Sequence, residues 1–291
     1  MPELPEAQTI VSDLNKKIKG RKILGVLYCD AKKIIRNMDF DKFKKEIKEK
    51  KIKEVKRRAK NILIYLSGNK LLSIHLKMTG HIIISNLKSQ ISKGRWVGKD
   101  LPKELEDPRN QFIHLSLELS GKKQLALSDM RKFAEVKLVE PDYIDILEEK
   151  LGPEPLDTKF DLKSFKSILE GSSGKIKQTL MNQSKISGIG NIYADEILFT
   201  SGVRPDRTLK SLKKKEIEKI FKSIKSVLKK AIERRGSSTN DFRDTEGRMG
   251  KYQEKRWVYQ RKGEKCRKCG SEIKKIRLGG RGTHFCPKCQ V

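Results

Sequence analysis

The stretch CRKCGSEIKKIRLGGRGTHFCPKC, residues 266–289, decides what the end of this chain builds. Cys266-x2-Cys269 and Cys286-x2-Cys289 stand sixteen residues apart. Two such thiolate pairs can close a tetrahedral shell around one zinc ion, with the intervening stretch as a hairpin. A closed four-cysteine site leaves no position for water, so the metal is expected to be structural. Inside the hairpin, Gly279-Gly280-Arg281-Gly282 suits a tight turn that offers a guanidinium to a phosphate. The same spacing fits an ordinary solvated turn. The fifth cysteine, Cys29, ends the apolar run 23–28 and is expected to be a buried small hydrophobe.

Upstream of the cysteines, residues 236–256 are polar, punctuated by glycine and without periodicity, which predicts a flexible loop. Before them lies a helical pattern over 211–235, with Ile217, Ile220, Phe221, Ile224, Val227, Leu228 and Ala231 on one apolar stripe. Shorter helices are expected over 161–170, 175–183 and 191–200. Residues 142–156 combine an acidic run with the two prolines of LGPEPL and predict a linker. The first 137 residues read differently. A helix is expected over 6–19, then strands over 23–28, 62–66, 71–76 and 81–85, and a hairpin over 112–128 with Gly121 in its turn.

The 291 residues carry 67 Lys and Arg against 37 Asp and Glu, a net charge of +30. Such a field draws polyanions, and nucleic acid is the obvious partner because neutralised phosphates release counterions. A Lys-rich background composition accounts for part of the excess, so charge alone does not establish that partner. No apolar run approaches the eighteen residues of a membrane span. The start MPELPEAQTI lacks the basic and apolar regions of a secretory signal. Cysteines in CxxC pairs fit a metal site in a reducing compartment, and a cytoplasmic location is expected.

Two further constellations bear on chemistry. In Gly188-Ile189-Gly190-Asn191, glycines at a helix start can expose N–H groups to an anion, with Asn191 as the cap; a plain turn between helices is the alternative. Lys177, just upstream, either adds a phosphate contact or is solvated. At the N-terminus, removal of Met1 would expose the secondary amine of Pro2, which can attack a sugar carbon and form an iminium. Glu3 and Glu6 stand beside it as proton carriers. By pattern alone PELPE is a helix start, with an early proline and acids favouring the dipole.

Six motifs in order change that reading: MPELPE from residue 1, RRAK at 57–60, HLKMTG at 75–80, LGPEPL at 151–156, GIGNIYADE at 188–196 and the closing GGRGTHFCPKCQ. Together they resemble bacterial formamidopyrimidine-DNA glycosylase, and they span essentially the whole chain. The resemblance implies a multidomain α+β fold: a β-sandwich with flanking helices, a helix–two-turn–helix domain and a C-terminal zinc-finger β-hairpin. The expected boundaries are 1–137 for the catalytic domain, 138–156 for a linker, 157–235 for the helical domain, 236–256 for a lesion-recognition loop and 257–291 for the zinc hairpin.

The same resemblance implies that Pro2 is the nucleophile, Glu3 the general acid and base, and Glu6 a supporting carboxylate. Lys60 and Arg281 would serve both catalysis and phosphate binding. His75, Lys177 and Asn191 would bind DNA, while Met78, Arg131 and Phe133 would fill the space left by an extruded base. One structural zinc would sit on Cys266, Cys269, Cys286 and Cys289. The partner would be duplex DNA with oxidised bases or abasic sites, and a monomer suffices for one extruded base. The implied activity is excision of oxidised purines followed by β,δ-elimination. A related endonuclease acting on oxidised pyrimidines and a non-catalytic zinc-containing DNA-binding protein are the alternatives. This sequence departs from the family pattern at Lys77, at Met130-Arg131-Lys132 and within 236–256, where NDF at 240–242 matches the recognition loop only partly.

Overall fold

The computed structural model describes residues 2–239 and 241–291; Met1 and Asn240, the latter in the NDF stretch, lie outside the described residues. Two compact units result, the first holding the chain up to Ile146 with Arg234–Gln253, the second Leu147–Glu233 with Glu254–Val291.

The first unit opens with α1 (Leu4–Ile18), whose Ile10, Leu14 and Ile18 recur at helical spacing and are fully buried. It continues through β1 (Ile23–Cys29), α2 (Phe40–Ile47), β2 (Ile52–Arg58), β3 (Asn61–Leu66), β4 (Lys70–His75) and β5 (His81–Asn86). A short ribbon follows, β6 (Gln90–Ser92) and β7 (Arg95–Val97), then β8 (Ile113–Leu119), β9 (Lys123–Ser128) and β10 (Glu135–Val139). Two antiparallel four-stranded sheets form, ordered β1-β8-β9-β5 and β10-β4-β3-β2. One apolar cluster takes Leu117 and Leu125 from the first sheet, Ile64 and Leu72 from the second, and Leu14 from α1. Shared burial of two sheet faces makes this a β-sandwich.

The expected hairpin over 112–128 is β8–β9, with Gly121 and Lys122 both at positive φ in its turn. Besides the β6–β7 ribbon, three elements go beyond the expectation. In β2, IKEVKRR buries only Ile52 and Val55 among its apolar positions and is otherwise charged, so no strand alternation shows. α2 is announced only by Asp39, whose carboxylate accepts the Lys42 N–H at 2.9 Å. β10 alternates, with Val136 and Leu138 inward. Cys29 corrects its expectation: it ends a strand at the sheet edge and is only half-buried, packed on the rim of the core.

Residues 142–156 contain a helix, α3 (Tyr143–Lys150), ahead of the two prolines. Then come α4 (Leu162–Glu170), α5 (Ile176–Met181), α6 (Asn191–Ser201) and α7 (Lys214–Glu233). α6 is buried on nearly all sides, as a helix with apolar residues all round must be. α7 turns Ile220, Ile224, Val227, Leu228 and Ala231 inward, and Phe221 joins Phe160 and Phe165 in a tilted aromatic cluster. The chain ends in the hairpin β11 (Lys274–Leu278) and β12 (Arg281–Phe285).

Among its described residues, the stretch 236–256 has no helix or strand beyond a short 3-10 turn at Tyr252–Lys255, yet it is not the loose loop its composition suggested. Phe242, Arg243, Asp244 and Thr245 are buried. Polar side chains that read as solvated are spent on internal hydrogen bonds: Ser238 Oγ donates to the Phe242 carbonyl at 2.7 Å and accepts the Gly250 N–H at 2.8 Å.

Candidate active site and nucleic-acid interface

Pro2, Glu3 and Glu6 sit together at the start of α1, all buried. Glu6 returns the arm of a capping box, one carboxylate oxygen accepting the Glu3 N–H at 2.7 Å. Its other oxygen accepts the Ser237 N–H, also at 2.7 Å. Glu6 is therefore fixed by two backbone donors, and it fixes in turn the residue beside Pro2. Gly236 explains the tight approach of that loop. Its φ is +77°, and a β-carbon there would lie 2.7 Å from Glu6 Oε1.

Lys60 lies in the two-residue turn between β2 and β3, where Arg58 pairs with Asn61. The preceding Ala59 holds φ +53°, a left-handed conformation that costs a residue with a β-carbon about 1 kcal/mol. Arg57 grips this turn from outside. Its Nη1 donates to the Ala59 carbonyl and its Nε to Gln8 Oε1 of α1, both at 2.9 Å. The turn carrying Lys60 is thus tied to the helix that Glu3 caps. Across β3 and β4, Asn61 pairs with His75. His75 Nδ1 accepts the Lys77 N–H at 3.0 Å, which leaves the ring proton on Nε2. Burial, then the charges of Lys77 and Lys60, lower its pKa to about 4. It is a neutral donor at pH 7, beside a lysine.

Met78, more than fifty residues upstream, meets Arg131 and Phe133 in space. The Arg131 guanidinium stacks 4.5 Å from the centre of the Phe133 ring, and its Nη1 lies 3.4 Å from Met78 Sδ. Met78 and Phe133 are 39% and 44% exposed, unusual for large apolar side chains gathered on one guanidinium. The residue that builds this tip is one the sequence reading missed. Asp129 is buried, and its carboxylate accepts the Phe133 and Ala134 N–H groups at 2.7 Å, the Arg131 N–H at 3.2 Å and the Thr79 hydroxyl. The signal was available: an Asp ahead of a tight polar stretch closes turns by accepting from the backbone beyond it.

Within the second unit, Asn191, Lys177 and Arg281 come together around β12. Gly190 is the helix cap and Asn191 the first helical residue, so the expected Asn cap is corrected. The Asn191 amide instead donates to the Gly282 carbonyl at 3.1 Å, beside Arg281. Arg281 is exposed at the hairpin turn, which Gly279 and Gly280 make with φ of +55° and +75°. Lys177 is not on the surface. It is 1% exposed, ion-paired with fully buried Asp195 at 2.6 Å and bonded to Thr283 Oγ1 at 2.7 Å. The expected phosphate contact is thereby corrected to an internal one, because burying a lysine charge demands an opposite charge. Asp195 also accepts the His284 N–H at 2.8 Å. Its neighbour Glu196 accepts the Trp257, Val258 and Tyr259 N–H groups at 2.8 to 3.0 Å, and burial raises its pKa. The acidic pair of GIGNIYADE thus binds α6 to the cysteine-bearing end of the chain.

The four cysteine sulfurs lie within 4.8 Å of one another, with Cys266–Cys289 at 3.9 Å and Cys269–Cys286 at 3.4 Å. A tetrahedral ion with sulfur bonds of about 2.3 Å separates its ligands by about 3.8 Å, so the cluster fits one closed structural zinc.

Three family models match the chain in succession. They are the N-terminal domain of formamidopyrimidine-DNA glycosylase over 1–136, its H2TH domain over 151–243, and a zinc finger found in FPG and IleRS over 263–291. The formamidopyrimidine-DNA glycosylase of Pelotomaculum thermopropionicum is 38% identical over 292 residues, covering 100% of this chain and 99% of that protein. The chain belongs to the formamidopyrimidine-DNA glycosylase family. That of Carboxydothermus hydrogenoformans is likewise 38% identical, with both chains covered in full. Among solved structures, the Lactococcus lactis Fpg bound to DNA containing an abasic site superposes with a TM-score of 0.86 at 34% identity, over 99% of both chains. The same protein bound to Fapy-dG DNA gives 0.85 at 34% identity, again over 99% of both. The family zinc finger falls on the four clustered cysteines, and no described helix is long and apolar enough to cross a membrane.

Proposed function

We propose that this chain is a bifunctional DNA glycosylase and abasic-site lyase that removes oxidised purines, 8-oxoguanine and formamidopyrimidines, from duplex DNA. Membership of the family over the full length carries the class of reaction. The observation that carries the site is the exposed triple of Met78, Arg131 and Phe133. A base leaves the stack before its sugar can be attacked, and an apolar tip with one guanidinium is suited to fill the gap. Relatives solved with abasic-site and Fapy-dG DNA support the same substrate class.

In this reading Met1 is removed and the Pro2 nitrogen attacks C1′ of the extruded nucleotide. The bond from C1′ to the base breaks, the base departs with a proton, and an iminium links Pro2 to the opened sugar. Glu3 gives a proton to the ring oxygen as it opens and later takes one from C2′, which expels the 3′ phosphate; a second elimination expels the 5′ phosphate. Glu6 holds Glu3 in place through its backbone N–H. Lys60, the Nε2 proton of His75, Asn191 and Arg281 receive phosphates, fixing the register of the strand and reading no sequence. Zinc supplies no chemistry here; held by its four cysteines, it keeps the hairpin that carries Arg281 folded. Residues 236–256 read the base, the protein works as a monomer, and its place in the cell is on chromosomal DNA in the cytoplasm.

The test is borohydride trapping on a duplex with 8-oxoguanine opposite cytosine. A covalent protein–DNA adduct is expected from the mature protein and is reduced in Pro2→Gly. No adduct from protein whose mass shows Met1 removed would leave a DNA-binding protein without chemistry. Preference for thymine glycol over 8-oxoguanine would move the substrate to oxidised pyrimidines.

A further inference from the structure

Within the first unit, the stretch 241–247 is fastened to the segment that runs from β7 to β8. Arg243 is buried, and its Nε donates to Asp107 Oδ2 at 2.8 Å. The other oxygen of Asp107 caps a 3-10 turn, Pro108–Asn110, by accepting the Arg109 N–H at 2.8 Å. One carboxylate is therefore fixed by the turn on one side and fixes the loop on the other. Two neighbours in the turn repeat the link: Arg109 pairs with Asp241 at 2.9 Å, and Asn110 Nδ2 donates to the Gly247 carbonyl at 3.0 Å. Arg109 also places Nη1 3.3 Å from Met130 Sδ, next to the exposed tip.

Between the same two segments lies a cavity of about 790 Å³, with Phe112 and Met249 in its wall. Phe242 anchors the stretch in the apolar core of the unit, while the links to the segment 103–112 are polar. A buried guanidinium without its carboxylate is strongly unfavourable, so the Arg243–Asp107 pair has one low-energy arrangement.

We infer that Asp107 and Arg243 are positioning residues for base selection, through which the segment 103–112 sets the conformation of 241–247 without entering the sugar chemistry. This rests on the reading of 236–256 as the loop that contacts the extruded base. An abasic site offers no base to read, so its cleavage is independent of the pair.

Two duplexes separate the roles, one with 8-oxoguanine opposite cytosine and one with a preformed abasic site. Asp107→Asn keeps an oxygen over the Arg109 N–H and removes the charge; Arg243→Met keeps the aliphatic stem. Each is expected to lower kcat/KM for base release by about 10-fold, with abasic-site cutting within about twofold of the parent. The double variant should match the single ones, because both remove one shared interaction. Equal losses on the two duplexes, or undiminished base release, overturn the inference. A parent protein inactive on both duplexes overturns the underlying functional reading, before any substitution is made.

Discussion

The exposed tip of the first unit and the buried network of the second are each organised by an aspartate almost without solvent contact, Asp129 and Asp195, each close to a basic residue for which the sequence suggested a DNA contact. They treat that residue in opposite ways. Asp129 accepts from backbone N–H groups and a hydroxyl, so the Arg131 guanidinium stays outside, over Phe133. Asp195 takes the Lys177 ammonium itself, at 2.6 Å, and withdraws it from solvent. A basic side chain stays outside where its aspartate is spent on backbone donors, and is withdrawn where the aspartate takes the charge itself.

The contrast is most severely tested by Lys177→Met. It leaves Asp195 charged and buried without its cation, and a loss of about 3 to 5 kcal/mol is expected in denaturant unfolding, with faster zinc release to a chelator. An undisturbed fold with weakened phosphate binding would erase the distinction drawn here. Asp129→Ala comes next. Several donors lose their acceptor, so a loss of about 2 kcal/mol is expected with a roughly 10-fold fall in affinity for an abasic-site duplex, read by thermal melting and fluorescence anisotropy. Retained affinity would show that the tip does not depend on its cradle. Phe133→Ala should change stability least, by no more than about 0.5 kcal/mol, because the ring is already exposed. The same variant should still weaken DNA binding severalfold. A large stability loss with unchanged binding would make Phe133 an ordinary packing residue.

Much of this molecule could be read before folding. Cysteine spacing gave the metal cluster, because four ligands at fixed offsets leave few alternatives, and alternation gave the β8–β9 hairpin. Ordered motifs brought Met78, Arg131 and Phe133 into one expected role. What escaped was decided by burial. Nothing in the local sequence distinguishes Lys177, enclosed among Asp195 and Thr283, from a solvated lysine. The polar stretch 236–256 looked loose because its partners, Glu6, Asp13 and Asp107, lie more than a hundred residues upstream. Even the helix start was displaced by one residue: Gly190 caps α6 by backbone geometry, and Asn191 turns its amide to β12.

The cradle around Asp129 has a kinetic side. A tip already held in shape has no ordering step to complete when it meets a base pair. Each contact can then end as quickly as it began, which matters for a protein that rejects nearly every position it samples while sliding on phosphate charge. Rigidity at that one turn favours speed of search.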